Sequence, residues 1–170
     1  MYKPLREEIV SVLVLNQANV LTRVVSMFGR RGFNIDSLTV SPTADPSLSR
    51  ITIVFSATEQ SMQQIITQTE KLEVVKEVVV LSRENSIYRE LVLMRIECGL
   101  DKLTTLKAIV ETFRGKIVDL SRDGIVVELT GTPHKINGFL DAISEYSITH
   151  MTRTGITAIE GINDDKGEQE

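Results

Sequence analysis

The chain has 170 residues and a mass of 19.0 kDa, with 42% hydrophobic and 25% charged side chains, the composition of a globular protein with room for one domain or two small ones. It has no apolar run of the roughly 18 residues needed to span a membrane. The N-terminus, from Met1 to Glu7, lacks the apolar core of a signal peptide. A formal charge of -4 offers nucleic acid or anionic lipid no general attraction, and the single cysteine, Cys98, excludes an intrachain disulfide and agrees with the reducing, cytoplasmic location expected.

Residues 9–15 (IVSVLVL) form a short apolar, β-branched run of strand length, which Asn16-Gln17-Ala18-Asn19 interrupts with residues that favour turns and caps. From Val20 the apolar positions are 20, 21, 24, 25 and 28, the stripe of an amphipathic helix. Arg30-Arg31-Gly32 is expected to close it, with cations in the last turn and a glycine in the left-handed position. A second strand is predicted over 33–41, a turn cluster with two prolines over 42–47, and a third strand over 50–56 that pairs with the second as a hairpin. Residues 59–72 carry Met62, Ile65, Ile66, Thr69 and Leu72 on one helical face, and 74–81 reads as a fourth strand. The order β-α-β-β-α-β with right-handed crossovers predicts a ferredoxin-like sandwich with both helices on one face of the sheet.

Residues 82–90 turn polar, and the same order then starts again. A strand is predicted at 91–97, then a helix striped by Leu103, Leu106, Ile109, Val110 and Phe113 and ended by Gly115. Two β-rich runs, 116–120 and 125–130, flank Ser121-Arg122-Asp123-Gly124, in which Asp-Gly is a strong short-hairpin signal. Ile136, Phe139, Leu140 and Ile143 mark a fourth helix, and 148–159 is expected as a last strand. The fold class expected is therefore α+β, two ferredoxin-like βαββαβ sandwiches in tandem, occupying 1–82 and 83–160. Residues 161–170, acidic and poor in apolar side chains, are expected to be a flexible tail.

No constellation for catalysis emerges from the residues. His134 and His150 lie far apart without ligand spacing, and Cys98 reads as a small side chain at a strand end rather than a third metal ligand. Neither a dinucleotide-binding nor a P-loop glycine pattern occurs, and few aromatic residues are available to stack on bases. One segment does suit a ligand. The turn from Asn16 into the helix at Val20 and Leu21 joins unpaired N–H groups, fit for a carboxylate, to an asparagine carbonyl, fit for an ammonium, so that it could recognise a free α-amino acid. The simpler reading makes Asn19 the N-cap and Asn16 a strand end. The residues alone leave both readings open.

Three blocks bear on that choice: NQANVLTRV at 16–24, RGFNIDSLTV at 31–40 and PTADPSLSRITI at 42–53. Together with FRGKIVD at 113–119, ELTGT at 128–132 and Arg153-Thr154-Gly155, they resemble the regulatory, small subunit of acetohydroxyacid synthase, also called acetolactate synthase, over nearly the whole chain. The resemblance implies an N-terminal ACT domain that senses ligand and a C-terminal domain of related topology. It also implies a non-catalytic protein that binds and activates a thiamine-diphosphate-dependent catalytic subunit and confers feedback inhibition by valine or another branched-chain amino acid. This chain would need no cofactor; thiamine diphosphate, Mg2+ and FAD would belong to the partner. Family effector positions fall on Asn16, Ala18, Asn19, Val20 and Leu21 of one copy and on Asn34 and Ile35 of a second copy, in a homodimer paired through its ACT domains. At Asn19 the chain departs from the family, which usually has glycine there. The competing expectation is an ACT sensor serving another enzyme or a transcription regulator, although no basic extension for DNA is evident. Neither nucleic acid nor a membrane is expected as a partner.

Overall fold

The structure, a computed structural model that describes residues 5–162, contains four helices and nine strands among those residues. In the first half β1 (Arg6–Leu15), β2 (Ile35–Pro42), β3 (Leu48–Ala57) and β4 (Val75–Leu81) form an antiparallel sheet in the order β2-β3-β1-β4. Helices α1 (Val20–Gly29) and α2 (Glu59–Glu70) supply the two crossovers. The pleat explains the division of β1: Val10, Val12 and Val14 join Ile51, Ile53 and Phe55 of β3 beneath Val24 and Phe28 of α1 and Ile65 of α2, whereas Ile9 takes the opposite face. Phe55 is the centre of that core. Phe28 and the partly buried Phe33 both meet it edge-on, with ring centroids at 5.1 and 5.7 Å, and a fully buried side chain such as Phe28 or Phe55 contributes about 1.5–3 kcal/mol.

The second half repeats this plan. Strands β5 (Ser86–Glu97), β6 (Lys116–Leu120), β7 (Gly124–Gly131) and β8 (Ser147–Arg153) take the order β6-β7-β5-β8, with crossovers α3 (Leu100–Thr112) and α4 (Pro133–Ala142). Val92, Met94 and Ile96 of β5 pack with Val127 and Leu129 of β7, Leu106 and Val110 of α3, and Ile136 and Phe139 of α4. Both sheets have the ferredoxin-like strand order.

Several local expectations change. Helix α1 ends at Gly29, so Arg30 is its C-cap and no basic side chain lies in its last turn; Gly32 does take the left-handed conformation, at φ 75°. At the end of α3 the left-handed residue is Arg114, at φ 54°, rather than Gly115. Gly115 answers a different need, since a Cβ there would stand 3.0 Å from the Val110 Cγ1. Strand β5 begins at Ser86, inside the polar stretch, because 86–90 alternates exposed and shielded positions although its composition resembles a loop.

The stretch expected as one strand over 148–159 is two. β8 ends at Arg153 and a short ninth strand, β9 (Thr157–Glu160), pairs with β5. By internal contacts one unit reaches Tyr88 and resumes at Ile156, and the other is Arg89–Gly155. Ile156 and Ala158, 3% and 5% exposed, pack on Ile9, Val54 and Leu81 at the face of the first sheet away from its helices. Of the expected tail, Gly161 donates its N–H to the Asn85 carbonyl at 2.7 Å, and 163–170 lie outside the described residues.

Candidate ligand site at the first helix N-terminus

The loop between β1 and α1 is held from below by the β2–β3 hairpin tip. Asn16 donates its backbone N–H to the Ser47 carbonyl at 2.8 Å and its side-chain Nδ2 to the Pro46 carbonyl at 2.9 Å. That use of the amide nitrogen leaves Oδ1 as an acceptor, the group an ammonium needs. The tip has its own anchor in Asp45, whose carboxylate accepts from the Ser47 hydroxyl at 2.7 Å and from the Ser47 N–H at 2.9 Å. Those two hydrogen bonds, the hydroxyl's first, hold the Asp45 carboxyl below its ordinary pKa.

Asn19 occupies the N-cap position of α1 but does not cap with its side chain. Its backbone is left-handed, at φ 66° and ψ 1°, and the side chain makes no cap hydrogen bond. An N-cap oxygen reaches the helix N–H groups from an extended backbone, as Thr58 does at α2 and Thr132 at α4, where the side chains accept from Ser61 N and Lys135 N. The left-handed turn withdraws the Asn19 side chain from that geometry, so the expectation of an asparagine cap is corrected. It also gives a physical reason for glycine as an alternative residue here, since glycine and asparagine are the residues that adopt positive φ at least cost. The N–H groups of Val20, Leu21 and Thr22 consequently find no acceptor among the described residues. They form an uncapped, positively polarised helix end, suited to a carboxylate.

The structure brings Asn16, Ala18 and Asn19 together in the loop and Val20 and Leu21 into the first turn of α1 that follows it. Asn16, Ala18 and Asn19 are exposed, Leu21 is 39% exposed, and Val20 points into the core at 4%, which leaves it only its N–H to offer. Asn34 and Ile35 are elsewhere. Leu15 lies opposite Leu48 on β3 and Ile35 opposite Phe55, seven residues along the strand, or about 23 Å at about 3.3 Å per residue. Asn34 is exposed and donates Nδ2 to Asp36 Oδ1 at 3.0 Å, while Ile35 is half-buried at the start of β2. One chain therefore does not assemble all seven residues into one pocket.

His134 and His150 are both exposed, and no group of three or more His, Cys, Asp or Glu side chains is placed to hold a metal among the described residues. Burial, aided by the Asp101 carboxylate, pushes the Cys98 thiol above its ordinary pKa and away from a nucleophilic thiolate. The Arg153-Thr154-Gly155 motif has a structural task that its sequence did not disclose. Arg153 pairs with the buried Glu90 through both Nε and Nη2 and donates Nη1 to Asn137 Oδ1 at 3.1 Å. Thr154 exchanges hydrogen bonds with Leu91, its N–H donating to the Leu91 carbonyl and its hydroxyl accepting from the Leu91 N–H, each at 2.9 Å.

Comparison with known proteins matches residues 10–77 to the model of the AHAS small subunit-like ACT domain and residues 89–162 to that of the small subunit of acetolactate synthase. The acetolactate synthase small subunit of Buchnera aphidicola subsp. Schizaphis graminum is 41% identical over 152 residues, spanning 89% of this chain and 96% of that protein. The acetolactate synthase isozyme 3 small subunit of Escherichia coli K12 is 38% identical over 152 residues, with 89% and 93% covered. Among solved structures, the acetolactate synthase small subunit from Thermotoga maritima superposes with a TM-score of 0.86 at 38% identity, covering 93% of this chain and 99% of that one.

Proposed function

The chain belongs to the family of acetolactate synthase small subunits, and from that premise we propose that it binds the catalytic subunit of the synthase, raises its activity and makes it answer to valine or another branched-chain amino acid. It is the regulatory component, and the condensation chemistry belongs to the partner. The effector's carboxylate is received by the N–H groups of Val20 and Leu21 and its ammonium by Asn16 Oδ1. The observation that carries this reading is the uncapped start of α1 beside an asparagine oxygen that has no hydrogen-bond partner among the described residues.

Because Asn34 and Ile35 are about 23 Å from that loop along the sheet, the complete site takes two copies, paired through their first domains so that each supplies the residues the other lacks. The same pairing covers β2, an edge strand of the first sheet. The first domain, expected at 1–82, is the effector module, and the second, expected at 83–160 and compact over Arg89–Gly155, carries much of the contact with the catalytic subunit. The complex is cytoplasmic; no helix among the described residues is long and apolar enough to cross a membrane.

The test is an assay of pyruvate condensation by the catalytic subunit alone, this chain alone and the mixture. The expected result is activity in the catalytic subunit, none in this chain, and a faster rate in the mixture that falls when a branched-chain amino acid is added. A mixture no faster than the catalytic subunit would refute the assignment of activation.

A further inference from the structure

The effector strand β2 is held by a segment from the far end of the chain. On the face of the first sheet away from its helices, the Ile156 N–H donates to the Ser37 hydroxyl and the Ile156 carbonyl accepts from the Thr39 hydroxyl, both at 2.9 Å. One residue of the returning segment thus uses both of its backbone polar groups on two side chains of β2, spaced two apart as the pleat requires for a common face. Those side chains sit two and four positions beyond Ile35. Ile156 and Ala158 are buried against Ile9, Val54 and Leu81, and Gly161 ties the far end of the segment to the Asn85 carbonyl at 2.7 Å. Its near end is equally fixed, because Arg153 and Thr154 are locked onto Glu90 and Leu91 immediately before the chain leaves the second unit at Gly155.

We propose that residues 156–161 are a clamp that couples effector occupancy at β2 to the second unit, with Ser37 and Thr39 as its positioning residues. The proposal deepens the effector reading above and rests on it. The physical basis is a reciprocal free energy: if a docked Ile156 favours the β2 arrangement that binds effector, bound effector must equally favour a docked Ile156. Removing the two hydroxyls takes away the polar hold while leaving the activating unit, the α1 loop, Asn34 and Ile35 as they are. A chain cut after residue 82 would lack the clamp altogether.

The experiment compares the reconstituted holoenzyme containing the unmodified chain with those containing Ser37→Ala/Thr39→Val and, as the conservative control, Thr39→Ser. Three readouts are taken: activation without amino acid, the concentration of valine, leucine or isoleucine giving half inhibition, and hydrogen exchange over 156–161. In the double variant, activation should stay within about twofold and the half-inhibiting concentration should rise about fivefold or more, the scale of losing two hydrogen bonds that each shift an equilibrium several-fold. Exchange over 156–161 should accelerate, and Thr39→Ser should behave as the unmodified chain. An unmodified holoenzyme that is inhibited, with a double variant inhibited at the same concentration, would overturn the clamp alone. Unaltered exchange would do the same, as would activation and inhibition falling together. An unmodified holoenzyme insensitive to all three amino acids would overturn the effector reading and the clamp with it.

Discussion

Substitution of Asn19 separates the backbone demand at that position from its steric consequence for a ligand. At φ 66° an ordinary L residue bears about 1–2 kcal/mol of local strain, of which asparagine is partly relieved. Glycine removes the strain but enlarges the freedom of the unfolded chain by about 0.5–1 kcal/mol. Since the Asn19 side chain makes no cap hydrogen bond, nothing else is lost, and Asn19→Gly should change stability by no more than about 0.5 kcal/mol. Asn19→Ala has neither relief and should be destabilised by about 1–2 kcal/mol. Effector affinity should respond far more strongly. A side chain entering a pocket shaped for glycine costs about 1–3 kcal/mol by overpacking, so Asn19→Gly should tighten binding by about 5- to 150-fold. Urea unfolding of the three proteins and titration of valine, leucine and isoleucine against each holoenzyme measure both effects. The unmodified complex should respond weakly and the glycine variant at much lower concentration. Strong inhibition of the unmodified complex by micromolar valine, unchanged in Asn19→Gly, would refute the steric argument, and an alanine variant as stable as the parent would refute the backbone argument.

Arg153→Ala strands the carboxylate of Glu90, which is 7% exposed, and should lower the unfolding free energy by about 2–4 kcal/mol; a loss below about 1 kcal/mol would mean that water satisfies Glu90. Because the Ser47 hydroxyl and N–H lower the pKa of Asp45 in the folded state, its contribution to stability is present above the ordinary carboxylate value near about 4 and is lost as pH falls through the lowered value. Asp45→Asn should therefore flatten the acid side of the stability profile, and superimposable profiles would contradict that linkage. Cys98, its thiol pushed up by burial and by Asp101, should react with a thiol reagent at pH 8 several-fold more slowly than a free cysteine; equal rates would show an unhindered thiolate. Sedimentation at micromolar concentration should give a dimer, and a species of only 19.0 kDa would refute the shared effector site.

The spacing of apolar residues sufficed to identify most elements and their order, because period two and period near four are local consequences of strand and helix geometry. Val24, Phe28, Ile65, Leu106 and Phe139 could be assigned to buried faces on that basis, and all five are buried. The candidate loop was legible for a similar reason: the first N–H groups of any helix lack an intrahelical partner, so a polar turn before a helix marks a place where an acceptor can be received. The conformation of its residues was not. Asparagine serves both extended caps and left-handed turns, so the residue type alone did not decide between them, and at the end of α3 the left-handed residue is Arg114 although the glycine stands next to it. The fate of 156–161 was still less accessible. Ile156 and Ser37 are 119 residues apart, and no periodicity in a four-residue strand records which surface it covers. That surface exists only once β1, β3 and β4 have assembled and left Ile9, Val54 and Leu81 in need of burial, so tertiary packing alone could make the C-terminal strand part of the first unit.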